Sequence, residues 1–309
     1  MTVGFLLAAW AVVGNDSIQT LGTFLASNKD IKWYYLFLST SLVMIITLTF
    51  GWYINGGDFS WGRLDRIPLP EVFTIWHVIA PLSLLFLTKF GLPVSTTFLI
   101  LSVFASGRVM STMILQSMTG YVIAFIVAFA LWEGLTRYIE EGKPILSPAS
   151  FRRWRIGQWV ATMFLWSQWL IHDMANISVY LPRNLTFPWL VFALSVVTIF
   201  LGVIFYSKGG KIQKIVLEKT NTSFVRSATI IDIVFALTLL FFKQLFALPL
   251  STTWVFVGLL AGRELAIHYP YQDERHKKII FPMLARDFLK ILIGLGVSVA
   301  VALLVSYFT

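Results

Sequence analysis

The sequence predicts an all-α polytopic membrane protein made of two inverted-topology repeats, whose broken or re-entrant helices meet near the bilayer midplane. Three observations predict it: an apolar composition, polar phrases repeated at half the chain length, and loop charges that reverse between the halves. The 309 residues are 57% hydrophobic and 13% charged, against about 25% charged in soluble domains. Such a chain cannot cover a water-facing surface of its size. The phrase Leu92-Pro93-Val94-Ser95-Thr96-Thr97-Phe98 returns as Leu248-Pro249-Leu250-Ser251-Thr252-Thr253-Trp254, 156 positions later. A second phrase, Gly14-Asn15-Asp16-Ser17-Ile18-Gln19, answers to Ile171-His172-Asp173-Met174-Ala175-Asn176, with the aspartates 157 apart. Two unrelated motifs sharing one offset indicate duplication of the whole chain, into repeats 1–150 and 151–309. In so apolar a protein this is the mark of a two-repeat transporter.

The elements follow in order. Val3 to Ser27 is apolar except around Asn15-Asp16, and lacks the basic start of a cleaved signal peptide. Trp33 to Ile54 is a continuous apolar run of about the 20 residues that cross a bilayer. Pro93 ends the next segment, and Ser95 is a natural N-cap for an apolar helix Thr97 to Ala105. Tyr121 to Trp132 closes the first half. In the second half the order recurs: Arg155 to Leu181, interrupted by His172-Asp173 and Asn176; Trp189 to Tyr206; Ile230 to Phe242; Pro249 with Ser251 ahead of a helix Thr253 to Leu260; and Ile291 to Phe308. Trp33, Trp52, Trp61, Trp154 and Trp189 flank apolar runs, as interfacial tryptophans do.

Loop charge orients the repeats. Arg137 to Arg155 carries five basic and two acidic residues, and Lys208 to Arg226 carries five basic and one acidic; both are expected on the cytoplasmic side. In the first half Arg63 and Arg66 are cancelled by Asp58 and Asp65, while the turn Lys29-Asp30-Ile31-Lys32 is net positive. The halves are therefore expected upside down relative to each other, with about five crossings each and both termini outside. The formal charge of +9 belongs to these loops and gives no reason to expect nucleic acid. Without cysteine, thiolate metal sites and disulfides are excluded.

Asp16 and Asp173 fall inside segments that otherwise span. A carboxylate there costs about 2.5–3.5 kcal/mol on insertion scales, so it needs a partner or a cavity. Helical register places Gln19 or Thr20 and Thr23 on the face of Asp16, and Asn176 and Tyr180 on that of Asp173. The simple alternative is an aspartate capping a half-helix or paired to a loop arginine, which duplication disfavours. Ser95, Thr96, Thr97 and Ser251, Thr252, Thr253 stand where helices begin within the membrane, so their hydroxyls and the free N–H groups beside them make a neutral anion cradle. Ordinary helix capping is the alternative. His77, His268 and His276 show no metal-ligand spacing, the last two lying in a charged stretch, Arg263 to Lys278, expected to be solvated. Asp232 is read as an interfacial anchor or a further contact to the cavity.

With Asn15-Asp16, a later amide, Pro93-Val94-Ser95-Thr96-Thr97, and both again downstream, the chain resembles the inorganic phosphate transporter family of sodium- or proton-coupled symporters. The resemblance spans nearly the whole chain, including Gly209-Gly210-Lys211 and Gly258-Leu259-Leu260-Ala261-Gly262. It implies phosphate binding by Ser95, Thr96, Thr97, Ser251, Thr252, Thr253, Gln19 and Asn176. It implies cation coupling through Asn15, Asp16, Thr20, His172 and Asp173, with sodium at Asp16, Asp173 and Asn176. It also implies a multi-pass protein of a bacterial-type inner or plasma membrane, in contact with lipid and with no nucleic-acid partner; a homodimer is left open.

The chain departs from the family at Gln19 and at His172, each in place of an asparagine, and at Phe98 and Trp254, each in place of a histidine. Imidazole at 172 either replaces the amide structurally or introduces a titrating group. Proton coupling and another oxyanion such as sulfate therefore remain alternatives. Outside transport, an intramembrane hydrolase built on His172 and Asp173 has too few ligands for a metal and no task for the second repeat, and a receptor that binds without translocating is also open. No nucleotide-binding motif is present, so neither an ATP-driven pump nor an enzyme is expected.

Overall fold

A computed structural model describes residues 1–89, 94–105, 107–139, 147–209, 213, 224–246, 249–268 and 274–308. Among them no strand occurs. The elements are α1 (Thr2–Ser27), α2 (Trp33–Ile54), α3 (Trp76–Lys89), a π-helical turn (Thr97–Leu101), α4 (Gly107–Ile139), α5 (Pro148–Asp173), α6 (Ala175–Ser178), α7 (Phe187–Tyr206), α8 (Val225–Leu245), α9 (Thr252–His268) and α10 (Glu274–Phe308). Among the described residues five stretches, Trp33–Ile54, Gly107–Gly134, Phe187–Tyr206, Val225–Leu245 and Ile280–Phe308, are long and apolar enough to cross a membrane. Large side chains such as Leu38, Leu42, Ile46, Val191, Ile199 and Leu303 are exposed on them, as a surface facing lipid requires. The chain is a multi-pass integral membrane protein.

Packing partners recur in pairs at the repeat offset. α1 lies against α3 as α5 lies against α8; α1 meets α7 as α5 meets α2; the π-helical turn meets α10 as α9 meets α4. α1 and α5 run in opposite directions. Asn28, at the end of α1, donates to Gln158 near the start of α5 at 2.8 Å, whereas Gly4 at the beginning of α1 lies under the Tyr180 ring that follows α5. One end of the bundle gathers residues 28–32, the start of α5 and the end of α7: Arg155 makes a bidentate pair with Asp30 (2.6 and 3.0 Å), holding that carboxyl below the usual carboxylate range. The opposite end gathers residues 55–75 and 181–186, through Leu185 N to Gly57 O (2.9 Å) and Arg183 to Ile67 O (2.9 Å). Both chain ends lie there too: Phe308 stacks on Trp76 at 4.2 Å.

A close seam joins α4 to α9. A Cβ on Gly258 would sit 2.5 Å from Tyr121 O, and one on Gly262 2.1 Å from Phe125 O. Two glycines one turn apart, facing two carbonyls one turn apart, bring the backbones together without any driving force from water, which is how membrane helices associate closely.

Three expectations are corrected. The helix expected over Thr97 to Ala105 is a π-helical turn ending at Leu101 and followed by turns, in which Ala105 N reaches back to Leu101 O at 2.9 Å. The stretch from Arg263 is not a solvated loop at its start: Arg263 and Glu264 belong to α9, are buried, and pair at 3.0 Å. His268 is likewise helical and half-buried, its Nδ1 bonded to Glu264 O at 2.9 Å. Pro93, Leu92, Leu248 and much of the two basic loops lie outside the described residues, and so does the side chain of His276.

Candidate functional site

The site forms where α1 and the interrupted pair α5–α6 meet the two Ser-Thr-Thr segments; the break expected in both aspartate helices occurs only after Asp173, since α1 runs unbroken through Asn15-Asp16. Met174 breaks α5 from α6 while continuing their direction, so Asp173 and Asn176 keep one face and Asn176 Nδ2 donates to Asp173 Oδ1 at 3.0 Å. On α1, Asp16 Oδ1 accepts from Asn15 at 2.5 Å and from Gln19 at 3.3 Å. The Ser-Thr-Thr segments enter alike: Ser95 Oγ accepts from Phe98 N and Ser251 Oγ from Trp254 N, each at 3.2 Å. Both serines therefore cap the turns they precede, as their chemistry predicts.

The two halves are joined by a chain of side chains. The Thr96 hydroxyl donates to Asp16 Oδ2, and Asn176 Nδ2 donates to Thr96 Oγ1 at 2.9 Å and reaches Thr97 Oγ1 at 3.3 Å. Asp16, Thr96, Asn176 and Asp173 thus form one line joining the two halves of the chain. Thr252 stands beside the Asp173 carboxylate. Asn15 Nδ2 also holds Val94 O at 3.0 Å, and Thr97 Oγ1 reaches Leu250 O at 3.4 Å. Asp16 and Asp173 are fully buried, and no side chain of the line exceeds 1% exposure. Burial of two carboxylates without a basic group bonded to either is costly unless the charge is neutralised.

Several buried acceptors here take no hydrogen bond: Asn15 Oδ1, Thr20 Oγ1, Asp173 Oδ2 and Asn176 Oδ1. Buried polar atoms are nearly always satisfied, and these oxygens around two carboxylates are the residues that could hold a cation with hard-oxygen preference. Among the described residues no cluster of three His, Cys, Asp or Glu side chains offers a transition-metal site.

Of the residues singled out from the sequence, the structure brings together Asn15, Asp16, Gln19, Ser95, Thr96, Thr97, Asp173, Asn176 and Thr252. Ser251 and Thr253 flank Thr252 and are buried; Ser251 N is fixed by the Ser117 hydroxyl at 2.8 Å. Thr20 is buried beside them with its hydroxyl unbonded. His172 is turned away, its Nε2 2.8 Å from Leu239 O on α8, with Nδ1 unpartnered. Thr23 and Tyr180, expected on the site face, serve elsewhere: Thr23 donates to Asp232 Oδ1 at 2.6 Å, and Tyr180 donates to His77 O at 2.8 Å. Asp232 is no interfacial anchor, being fully buried and also accepting from Thr162. Thr162 has no counterpart signal in the sequence, since a lone threonine on an apolar helix is commonplace. Phe98 and Trp254, which follow the two Ser-Thr-Thr phrases, pack edge to face against each other at 5.3 Å.

Fold and site together define a polytopic helical membrane protein with a closed, carboxylate-bearing site at the centre of a paired architecture. The chain is similar over 99% of its length to 98% of a solved structure described as the sodium-dependent phosphate transporter, with a TM-score of 0.65 and 16% identity. That likeness establishes a shared fold. No family model matches the chain, and no curated protein matches it at a significant level.

Proposed function

We propose that the protein is a secondary active transporter of inorganic phosphate, driven by sodium symport and working by alternating access. The observation that carries this reading is the buried line Asp16–Thr96–Asn176–Asp173 with unbonded oxygen acceptors around it. In this closed arrangement the donors an anion needs are already engaged: the Thr96 hydroxyl on Asp16, and the Asn176 amide on Thr96, Thr97 and Asp173. A cation on Asp16 takes over the carboxylate charge and frees the Thr96 hydroxyl; a cation on Asp173 does the same for Asn176. The anion can then be held by donors that cation binding has released. Coupling is a consequence of this shared use of donors, and cations bind first.

Phosphate suits such a site because near neutral pH it carries O–H groups of its own, which the carboxylate and amide oxygens accept. Sulfate brings no proton to them. The acceptors left over are hydroxyl, amide and carboxylate oxygens, which favour sodium over proton transfer. The fold shared with a sodium-dependent phosphate transporter agrees with both choices. In reconstituted proteoliposomes we expect labelled phosphate to accumulate when a sodium gradient is imposed and unlabelled phosphate to compete. Accumulation indifferent to sodium and pH gradients would refute coupling, and competition by sulfate alone would move the substrate to that anion.

We further infer two inverted repeats, 1–150 and 151–309, supported by the paired packing and by the opposite run of α1 and α5. The end bearing Asp30, Arg155 and Lys208 is then cytoplasmic, and residues 55–75 and both chain ends face outward. The cysteine-free chain allows single cysteines to be placed within 58–66 and 208–226. We expect impermeant thiol reagents to reach the first set from outside and the second only from inside; labelling of both sets from one side rules the inversion out.

A further inference from the structure

Arg63 belongs to a loop of balanced charge, yet it is neither at the surface nor paired with the aspartates beside it. Arg63 is 4% exposed although it lies between α2 and α3. Asp58 is satisfied within its own turn by Ser60 N, Ser60 Oγ and Gly62 N (2.7, 2.6 and 2.7 Å). Asp65 is exposed. Arg63 has no ion pair among the described residues. Its Nη1 donates to Phe246 O at 2.7 Å, three residues ahead of Pro249 and the second Ser-Thr-Thr segment, while Nη2 is buried with no partner.

The surrounding loop is built to hold that position. Trp61 covers Gly51 of α2, and Lys243 of α8 lies 4.6 Å over its ring. Leu64 and Ile67 are buried on either side of the arginine, and Arg183 clamps Ile67 O. A guanidinium fixed this firmly has lost little freedom by the time it meets a ligand. Burial lowers its pKa to about 10, so it is charged at neutral pH. Asp173 is within electrostatic range of it without being bonded to it, and so are His172 and Lys243.

A buried charged donor left unpaired is among the most costly groups a protein can carry. We propose that Arg63 is an anion-contact residue, supplied by the loop after α2 to the second Ser-Thr-Thr segment, and that its free Nη2 donates to the transported oxyanion. The inference rests on the transport reading and deepens it. While Asp173 is ionised it holds the field of Arg63 to itself. Once a cation neutralises Asp173, the guanidinium charge becomes available to the anion, and its planar fork matches two oxygens of a tetrahedral oxyanion.

The test is concentration-dependent phosphate uptake by wild type, Arg63→Gln and Arg63→Lys in proteoliposomes, with stabilisation of the detergent-purified proteins by phosphate measured alongside. We expect Arg63→Gln to raise the KM for phosphate about ten- to a hundred-fold, the loss of one charge-assisted hydrogen bond, with a much smaller change in maximal rate. Arg63→Lys keeps the charge without the fork, is the safer variant for folding, and should recover part of the affinity. If Arg63 served only to latch the loop to Phe246, the variants would lose thermal stability or maximal rate while KM stayed put, and that outcome overturns the proposal. Unchanged KM in Arg63→Lys together with Arg63→Gln overturns it as well. Wild-type protein inert toward phosphate would instead overturn the transport reading, and the anion role of Arg63 with it.

Discussion

We expect sodium-driven phosphate uptake to be abolished in Asp16→Asn and in Asp173→Asn, with both proteins still folded. Asparagine has nearly the shape of aspartate and still accepts through its oxygen, so the bonds from Thr96 and Asn176 can persist in part. What disappears is the negative charge that a coupling cation must neutralise. Each carboxylate is fully buried, so its removal relieves desolvation and should not lower the yield of folded protein. The loss of a charge-assisted contact corresponds to about 1.5–3 kcal/mol, or ten- to a hundred-fold in affinity. Transport suffers more than affinity, because the donors that cation binding would free for the anion are no longer under its control. The measurements are uptake against an imposed sodium gradient and the sodium dependence of thermal unfolding. Both should go flat in either variant. Sodium-stimulated uptake persisting in Asp16→Asn would remove Asp16 from the coupling site.

Much of this site was legible in the sequence because its information is local. Asp16 and Gln19, like Asp173 and Asn176, are three apart on one helix face, and helical geometry alone pairs them. The serine caps of Phe98 and Trp254 are equally local. The internal repeat added one long-range fact, that the two sets belong together, and the line through Thr96 and Asn176 is the physical form of that fact. Register could not decide between neighbours outside the repeat. Thr23 shares the face of Asp16 yet turns to Asp232, on α8 and 209 residues away, because that buried carboxylate needs its own donors more than the central site needs another hydroxyl. His172 illustrates the same limit: the position matches Asn15, but a larger ring reaches the α8 backbone at Leu239. Arg63 was hidden for a different reason. A charge count over a loop assumes that every charge in it is solvated, and only the fold reveals that Asp58 is already occupied within its turn and that the arginine points inward to Phe246.

The other large effect is expected away from the buried carboxylates, at Gly262 in the seam between α4 and α9. A methyl group there would be placed 2.1 Å from Phe125 O and 2.9 Å from its carbonyl carbon, well inside van der Waals contact. The obstacle is backbone in the middle of α4, so no side chain can swing aside and the helices themselves must part. Parting opens a gap beside the buried Val255 and Leu259 and forfeits dispersion contacts along the seam, which in a membrane are the main source of helix association. Overpacking of this kind costs about 1–3 kcal/mol even where the surroundings can relax. α9 begins at Thr252, so its displacement also moves a hydroxyl away from Asp173. We expect Gly262→Ala to lower the melting temperature of the detergent-purified protein and its phosphate uptake, and Gly262→Leu to give no monodisperse protein. Gly134, on α4 with open space around its Cβ position, is the matched control: Gly134→Ala should keep wild-type uptake and melt no lower than wild type, since the new methyl meets nothing and alanine favours the helix by about 1 kcal/mol. Wild-type yield and melting temperature in Gly262→Leu would mean that α4 and α9 do not approach this closely, and the placement of the second Ser-Thr-Thr segment would have to be redrawn with them.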